Sequence, residues 1–180
     1  MMGHTRNIIK VPSVFMSSTF ADFKKERSLI MDVVPYIDVH VICAERKGLE
    51  DRKLENSLKR WIDESDMVIL LMGMRYGTES GAGYSWTEEE IRYAIDKKKR
   101  IFAYVRELDR ELKMMMDRNE EKSEKLEKFV KIVNKYVPVI PRNSYKDYCR
   151  LIAMIVRDVD RYAEKLRANE RERSYNDGFE

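Results

Sequence analysis

The sequence predicts one α/β domain: a five-stranded parallel sheet of order 2-1-3-4-5 covered by helices on both faces. Short apolar runs alternate with longer amphipathic segments along the chain, which is the pattern of strand–helix–strand units. The runs are almost continuously apolar, as in parallel strands buried on both faces. A chain of 180 residues, 43% of them hydrophobic, is also long enough to bury a substantial core.

The expected elements follow one another in a regular order. The strand candidates are residues 13–17, 39–43, 67–72, 101–105 and 137–140. Helical spacing of apolar residues marks the segments between and after them: Leu54, Leu58, Trp61 and Ile62, then Leu126, Phe129, Val130 and Val133, then Leu151, Ile152, Ile155, Val159 and Tyr162. Thr19 is expected to cap the first helix and Ser85 the third. Residues 11–166 form the domain, and residues 167–180 are expected to be a charged tail in solvent.

Composition narrows the possible functions. The formal net charge is +3, and acids are interleaved with the bases, so a nucleic-acid partner is not expected. The basic run at residues 97–100 is interpreted as cations at a helix carboxyl end rather than as an anion site. Cys43, Cys149, His4 and His40 are too isolated to form a disulfide framework or a metal site. No stretch is apolar enough for a membrane span or a signal peptide, so a cytoplasmic location is expected.

Four of the seven glycines lie in one predicted loop between the third strand and the third helix: Gly73, Gly77, Gly81 and Gly83. Glycine permits positive φ and a close approach of the backbone to a ligand. The loop follows a strand at the carboxyl edge of the sheet, where ligands of doubly wound folds bind. A substrate-binding loop and a mobile surface turn both remain open from this pattern.

Three successive glutamates begin the third helix, and helical geometry predicts a different environment for each. Glu88 is at the position that closes a capping box with Ser85. Glu89 is expected to point towards solvent. Glu90 lies at the edge of the buried face, one turn after Trp86, where partial desolvation strengthens its interaction with a developing positive charge. An acidic helix start favoured by the helix dipole is the alternative explanation.

Two groups of residues resemble a known family. The run from Val14 to Phe20, VFMSSTF, resembles the opening motif of the TIR-like family named domain of unknown function 4062. Arg75-Tyr76-Gly77 and the later Ser85, Thr87 and Glu88 match further motifs of that family. The resemblance covers most of the chain and implies a three-layer, flavodoxin-like fold within the wider TIR (Toll/interleukin-1 receptor-like) superfamily. The charged loop at residues 44–53 departs from the family pattern.

The resemblance also implies an activity, because NAD-cleaving TIR domains carry a glutamate four residues after a tryptophan at this position. It makes Glu90 the candidate catalytic residue of an NAD nucleosidase in signalling or antiviral defence, with no metal and no cofactor beyond NAD as substrate. Self-association is expected. The implied substrate-binding residues are Ser17, Ser18, Thr19, Phe20, Arg75, Tyr76, Gly77 and Trp86.

Two other functions remain open from the sequence. A TIR-like domain can be a non-catalytic interaction module, in which Glu90 would be merely structural. A nucleoside deoxyribosyltransferase-like N-glycosidase shares the fold type and a glutamate-centred cleft. Arg27 interrupts an apolar helical stripe and is expected to pair with an acid rather than to bind substrate.

Overall fold

A computed structural model describes residues 10–19, 22–43, 51–107, 119–137 and 144–177, without the side chains of residues 51–55 and 176–177. Within these ranges five strands form one parallel sheet of order β2-β1-β3-β4-β5, as predicted. The strands are β1 (Ser13–Ser18), β2 (His40–Ile42), β3 (Met67–Met72), β4 (Arg100–Arg106) and β5 (Ser144–Tyr145). The helices are α1 (Lys24–Val33), α2 (Asp51–Glu64), α3 (Trp86–Asp96), α4 (Glu120–Tyr136) and α5 (Tyr148–Asp177).

The alternation of side chains along each strand divides the core into two layers. Val14 and Met16 of β1 belong to the layer that includes α1 and α5. Phe15 belongs to the opposite layer, with α2, α3 and α4. The central strand β3 is buried along its whole length, which explains its continuous apolar run.

The fifth strand of the described sheet is not at the predicted residues 137–140. The strand that pairs with β4 is Ser144–Tyr145, opposite Val105 and Arg106. Val137 is the C-cap residue of α4, and its N–H donates to the Val133 carbonyl at 2.7 Å. Residues 138–140 lie outside the described residues. The apolar run was ambiguous because Val137 continues the buried stripe of α4 and packs partly against the same core.

The start of the first helix also differs from expectation. Helix α1 begins at Lys24 with Phe23 at the N-cap position, so Thr19 does not cap it. The Phe23 side chain is fully buried in the core. Its apolar packing stands at the start of the helix in place of the expected polar cap. Helix α5 continues through residue 167 to Asp177, and Arg167 donates to the Ile37 and Asp38 carbonyls. Neither this long helix nor any other helix in the described ranges is apolar enough to cross a membrane.

Candidate functional site

The two serines that end β1 point to opposite faces of the sheet. The hydroxyl of Ser17 donates to Oε2 of Glu90 at 2.5 Å. The hydroxyl of Ser18 accepts a 2.6 Å hydrogen bond from the buried Arg27 guanidinium on the other face. The structure therefore joins Ser17 to the candidate catalytic glutamate and separates Ser18 from it.

Tyr76 organises the amino end of α3. Ser85 caps the helix, with its hydroxyl accepting from the Glu88 N–H at 3.2 Å. The Tyr76 hydroxyl accepts from the Ser85 N–H at 3.1 Å and donates to Oε2 of Glu88 at 2.7 Å. The Glu88 carboxylate thus reaches the cap residue through a phenol instead of bonding it directly, as a simple capping box would.

This arrangement gives Tyr76 a structural position rather than an open stacking surface. Its side chain is 2% exposed, and burial together with the Glu88 carboxylate raises the pKa of the Tyr76 phenol to about 12. Trp86, one turn before Glu90, is half-buried and packs against the α2–α4 side of the core. Of the two aromatic candidates, Trp86 is therefore the one with ring surface left to a ligand.

The three glutamates of α3 have three different environments, but not those expected for each. Glu88 is buried and also binds Arg92 at 2.7 Å. Glu89 does not point into solvent: its side chain is 17% exposed and lies 4.0 Å from the Lys59 ammonium of α2. The periodicity of α3 could not show this, because α2 covers a flank that the helix pattern leaves polar. Glu90 is half-buried, and of the three it is the one bonded to β1.

The first part of the glycine loop closes over the end of β1. The Thr19 hydroxyl lies 3.5 Å from the Arg75 carbonyl, and the Arg75 guanidinium lies 3.3 Å from the buried Asp22 carboxylate. Gly77 has a φ of +92°, a backbone conformation that L side chains rarely adopt. Its carbonyl accepts from the Lys122 ammonium of α4 at 3.2 Å. Thr19, Arg75 and Gly77 are therefore neighbours, as predicted, whereas Phe20 lies outside the described residues.

The outer part of the loop is held from two sides. Glu79 and Ser85 form an antiparallel bridge, and Gly83 turns the chain between them with a φ of +81°. The Lys125 ammonium of α4 lies 2.9 Å from the Glu79 carboxylate. On the other side the Arg92 guanidinium lies 4.4 Å from the centre of the Tyr84 ring. The contacts favour an ordered loop over a mobile surface turn.

Comparison with known proteins identifies the family. A family model described as "Domain of unknown function (DUF4062)" matches residues 13–160. The chain belongs to that family. No curated protein matches it. Among solved structures, the TIR domains of the activated Roq1 resistosome that recognises the pathogen effector XopQ are similar, with a TM-score of 0.57 at 15% identity. That match covers 82% of this chain and 99% of the other, so the DUF4062 domain has a TIR-like fold.

One small cavity of this DUF4062 domain lies beside Glu90, between α2 and α3. A cavity of about 10 Å³ is lined by Leu58, Lys59, Ile62, Glu89, Glu90 and Tyr93. Such a volume holds about one water molecule. No group of three His, Cys, Asp or Glu side chains in the described part of the chain is arranged to hold a metal ion. The described carboxylates at this edge instead bond to hydroxyls, guanidinium groups and an ammonium.

The sequence did not predict a second polar cluster, on the α1 side of the same sheet edge. Glu26 of α1 is 1% exposed and accepts from the Tyr145 hydroxyl at 3.2 Å. The Arg106 guanidinium at the end of β4 lies 3.7 Å from the same carboxylate oxygen. Burial and the Glu26 charge raise the pKa of the Tyr145 phenol well above its usual value. Glu26 and Arg27 both interrupt the apolar stripe of α1, and this interruption was the available signal.

Proposed function

We propose that this domain cleaves the N-glycosidic bond between nicotinamide and ribose in NAD, with Glu90 as the catalytic residue. The observation that carries the proposal is the 2.5 Å hydrogen bond from Ser17 to Glu90, which fixes a half-buried carboxylate at the carboxyl edge of β1. Ligands of doubly wound α/β folds bind at this edge. The TIR-like fold and the Trp86–Glu90 spacing support the assignment.

The chemistry requires little beyond a positioned negative charge. As the glycosidic bond breaks, the bonding electrons leave with nicotinamide and the ribosyl carbon becomes oxocarbenium-like. A fixed carboxylate stabilises that positive charge, as in glycosidases. Water then adds to the ribosyl carbon and loses a proton, which gives ADP-ribose. Trp86 would contact the departing ring, and Ser17 would hold Glu90 in place.

A dinucleotide needs more room than the described cavity beside Glu90 offers. The 10 Å³ cavity is far below the several hundred cubic ångströms typical of small-molecule sites. We therefore propose that self-association rearranges or completes the cleft. The similar TIR domains of Roq1 belong to a resistosome, which fits an assembly-dependent site.

The direct test is incubation of concentrated protein with NAD, followed by chromatography for nicotinamide and ADP-ribose. Activity is expected to rise faster than linearly with protein concentration. Glu90→Gln, which keeps the size of the side chain and removes its charge, is expected to lower nicotinamide release by roughly 100-fold or more. The matched control is Glu172→Gln, an exposed glutamate of α5, the helix that packs on the opposite face of the sheet from Glu90.

A non-catalytic interaction module is the competing function, and one observation favours it. Tyr76 and Glu88, two of the family-motif residues, are bonded to each other inside the fold, so they support structure rather than contact a substrate. Full activity in Glu90→Gln, or no nicotinamide from wild-type protein at any concentration that supports assembly, would replace the enzyme assignment with this one. Release of a free nucleobase from nucleosides, with NAD left intact, would instead indicate the deoxyribosyltransferase-like reaction.

A further inference from the structure

The amino end of the sheet carries a large cationic groove that the proposed NAD site does not use. The groove has a volume of about 860 Å³ and lies between the α3–β4 turn, the end of α4 and the middle of α5. Six basic side chains line it: Lys98, Lys99, Arg100, Arg157, Arg161 and Lys165. Asp158 is the one acid in that lining, so the groove has a formal excess of five positive charges.

This excess exceeds the net charge of the whole chain, which is +3. All residues outside the groove therefore sum to a formal charge of −2. Acids and bases are interleaved along the sequence, but the fold brings six bases and one acid together in the groove. A concentration of cations in a concave surface raises the local concentration of anions.

Part of the positive charge has a structural use. The Lys99 ammonium donates to the Asp63 and Ser65 carbonyls at the end of α2, at 2.8 and 2.6 Å. The Arg157 guanidinium binds the carboxylate of Asp158. The carboxyl ends of α3 and α4 also face this region, and each contributes a partial charge of about −0.5. The Asp158 charge is already included in the excess of five, and the two helix ends together offset about one further charge.

One wall of the groove is a row of like charges along α5. Arg157, Arg161 and Lys165 are spaced four residues apart, so their side chains follow one another on the same helix face. All three are exposed. Like charges at this spacing repel one another along the helix face. A bound anion would relieve the repulsion.

Apolar and aromatic groups complete the lining. Ile101 and Phe102 of β4 are buried, Tyr162 of α5 is half-buried, and Tyr136 at the end of α4 is 55% exposed. A ligand that matches both the basic row of α5 and the aromatic lining has several negative charges and a flat ring. The volume also falls within the range of sites for ligands of nucleotide size. We propose that this groove binds a free nucleoside polyphosphate, with its phosphates against the α5 row and its base against Tyr136 and Tyr162, the two aromatic residues of the lining with exposed surface.

The test is calorimetric titration of the whole chain with ATP in EDTA at low ionic strength, so that no metal ion contributes. Saturable binding is expected. Arg161→Glu combined with Lys165→Glu is expected to weaken it roughly tenfold or more. Lys25→Glu combined with Lys128→Glu reverses the same number of charges at exposed positions outside the groove and is expected to leave it unchanged. Circular dichroism checks that both variants are folded.

Two further ligands test the chemical class. Inorganic tripolyphosphate is expected to bind more weakly than ATP, and adenosine is expected to give no measurable heat. Equal affinity for tripolyphosphate and ATP would refute a role for the aromatic groups and overturn the nucleoside assignment. ATP binding that survives the Arg161/Lys165 reversal, that falls equally in the control, or that is absent from wild-type protein would overturn the site. Glu90→Gln is expected to retain ATP binding, so failure of the NAD proposal leaves this one intact.

Discussion

The two faces of the sheet differ at the same carboxyl edge. On the α1 side, Glu26, Arg106 and Tyr145 are buried and bonded to one another. On the α3 side, Ser17 holds a half-buried glutamate next to a small cavity. Both clusters place charged groups at the position where ligands of this fold class bind. The difference indicates that burial, rather than position in the fold, separates a structural polar cluster from a candidate catalytic one.

The largest expected effect tests the buried cluster. Glu26→Gln removes the carboxylate charge that lies 3.7 Å from the Arg106 guanidinium, where the two side chains are 1% and 10% exposed. We expect the free energy of unfolding to fall by about 3 kcal/mol, because breaking one partner of a buried pair leaves charge without full compensation. Urea denaturation measures this. Replacing both residues, Glu26→Leu with Arg106→Met, is expected to recover most of the loss; no recovery would show that the pair itself stabilises the fold.

The second expected effect concerns the tyrosine that connects the loop to α3. Tyr76→Phe removes the hydroxyl that bonds the Ser85 N–H and the Glu88 carboxylate. Two buried polar groups lose a partner, so we expect about 2 kcal/mol of destabilisation by urea denaturation. A change within experimental error would show that water replaces the hydroxyl.

The same residue gives a pH prediction. The pKa of Tyr76 is raised from 10.0 to about 12 in the folded chain, so folding favours the protonated phenol. Its contribution to stability is therefore complete below pH 10 and is lost as the pH rises from 10 through 12. Above pH 10, wild-type protein is expected to lose stability more steeply than Tyr76→Phe. The other tyrosines are common to both proteins, so parallel curves would contradict the assignment.

Substitution of each of the two serines at the end of β1 compares the two faces of the sheet with a small chemical change. Ser17→Ala removes one hydrogen bond that positions Glu90, and we expect about a tenfold fall in nicotinamide release. Ser18→Ala removes an acceptor from the buried Arg27 and is expected to cost about 1 kcal/mol of stability with activity per folded molecule unchanged. Nicotinamide assays and urea denaturation of both variants are needed. The opposite assignment of effects would mean that the site lies on the α1 face.

The smallest expected effect lies in the loop. Lys125 binds both Glu79 of the loop and Glu121 of its own helix at 2.9 Å, and these contacts raise the pKa of its ammonium. Lys125→Ala is expected to increase amide hydrogen exchange at Ser80 and Gly83 by a small factor, roughly two- to fivefold. The control is Lys128→Ala, which removes an exposed lysine from the next turn of the same helix. Equal exchange in both variants would show that the loop holds its conformation without the Lys125 contact.

The sequence by itself determined the order of elements, the parallel sheet and the cap at Ser85. These depend on periodicity and on contacts between residues close in the chain, which local sequence encodes. It also placed Glu90 at the edge of the buried face of α3. It misplaced β5 because Ser144–Tyr145 is only two residues long and has no apolar run, whereas Val137 extends a helical stripe.

Only the tertiary structure decided which polar groups became partners. Tyr145 and Glu26 are 119 residues apart in sequence, and Ser17 and Glu90 are 73 apart. Glu89 meets Lys59 because α2 packs beside α3, a relation that neither helix pattern contains. The charge separation that forms the cationic groove has the same origin. Hydrophobic periodicity indicates which face of an element packs on the core, but the partner of a buried charge depends on which elements the fold brings together.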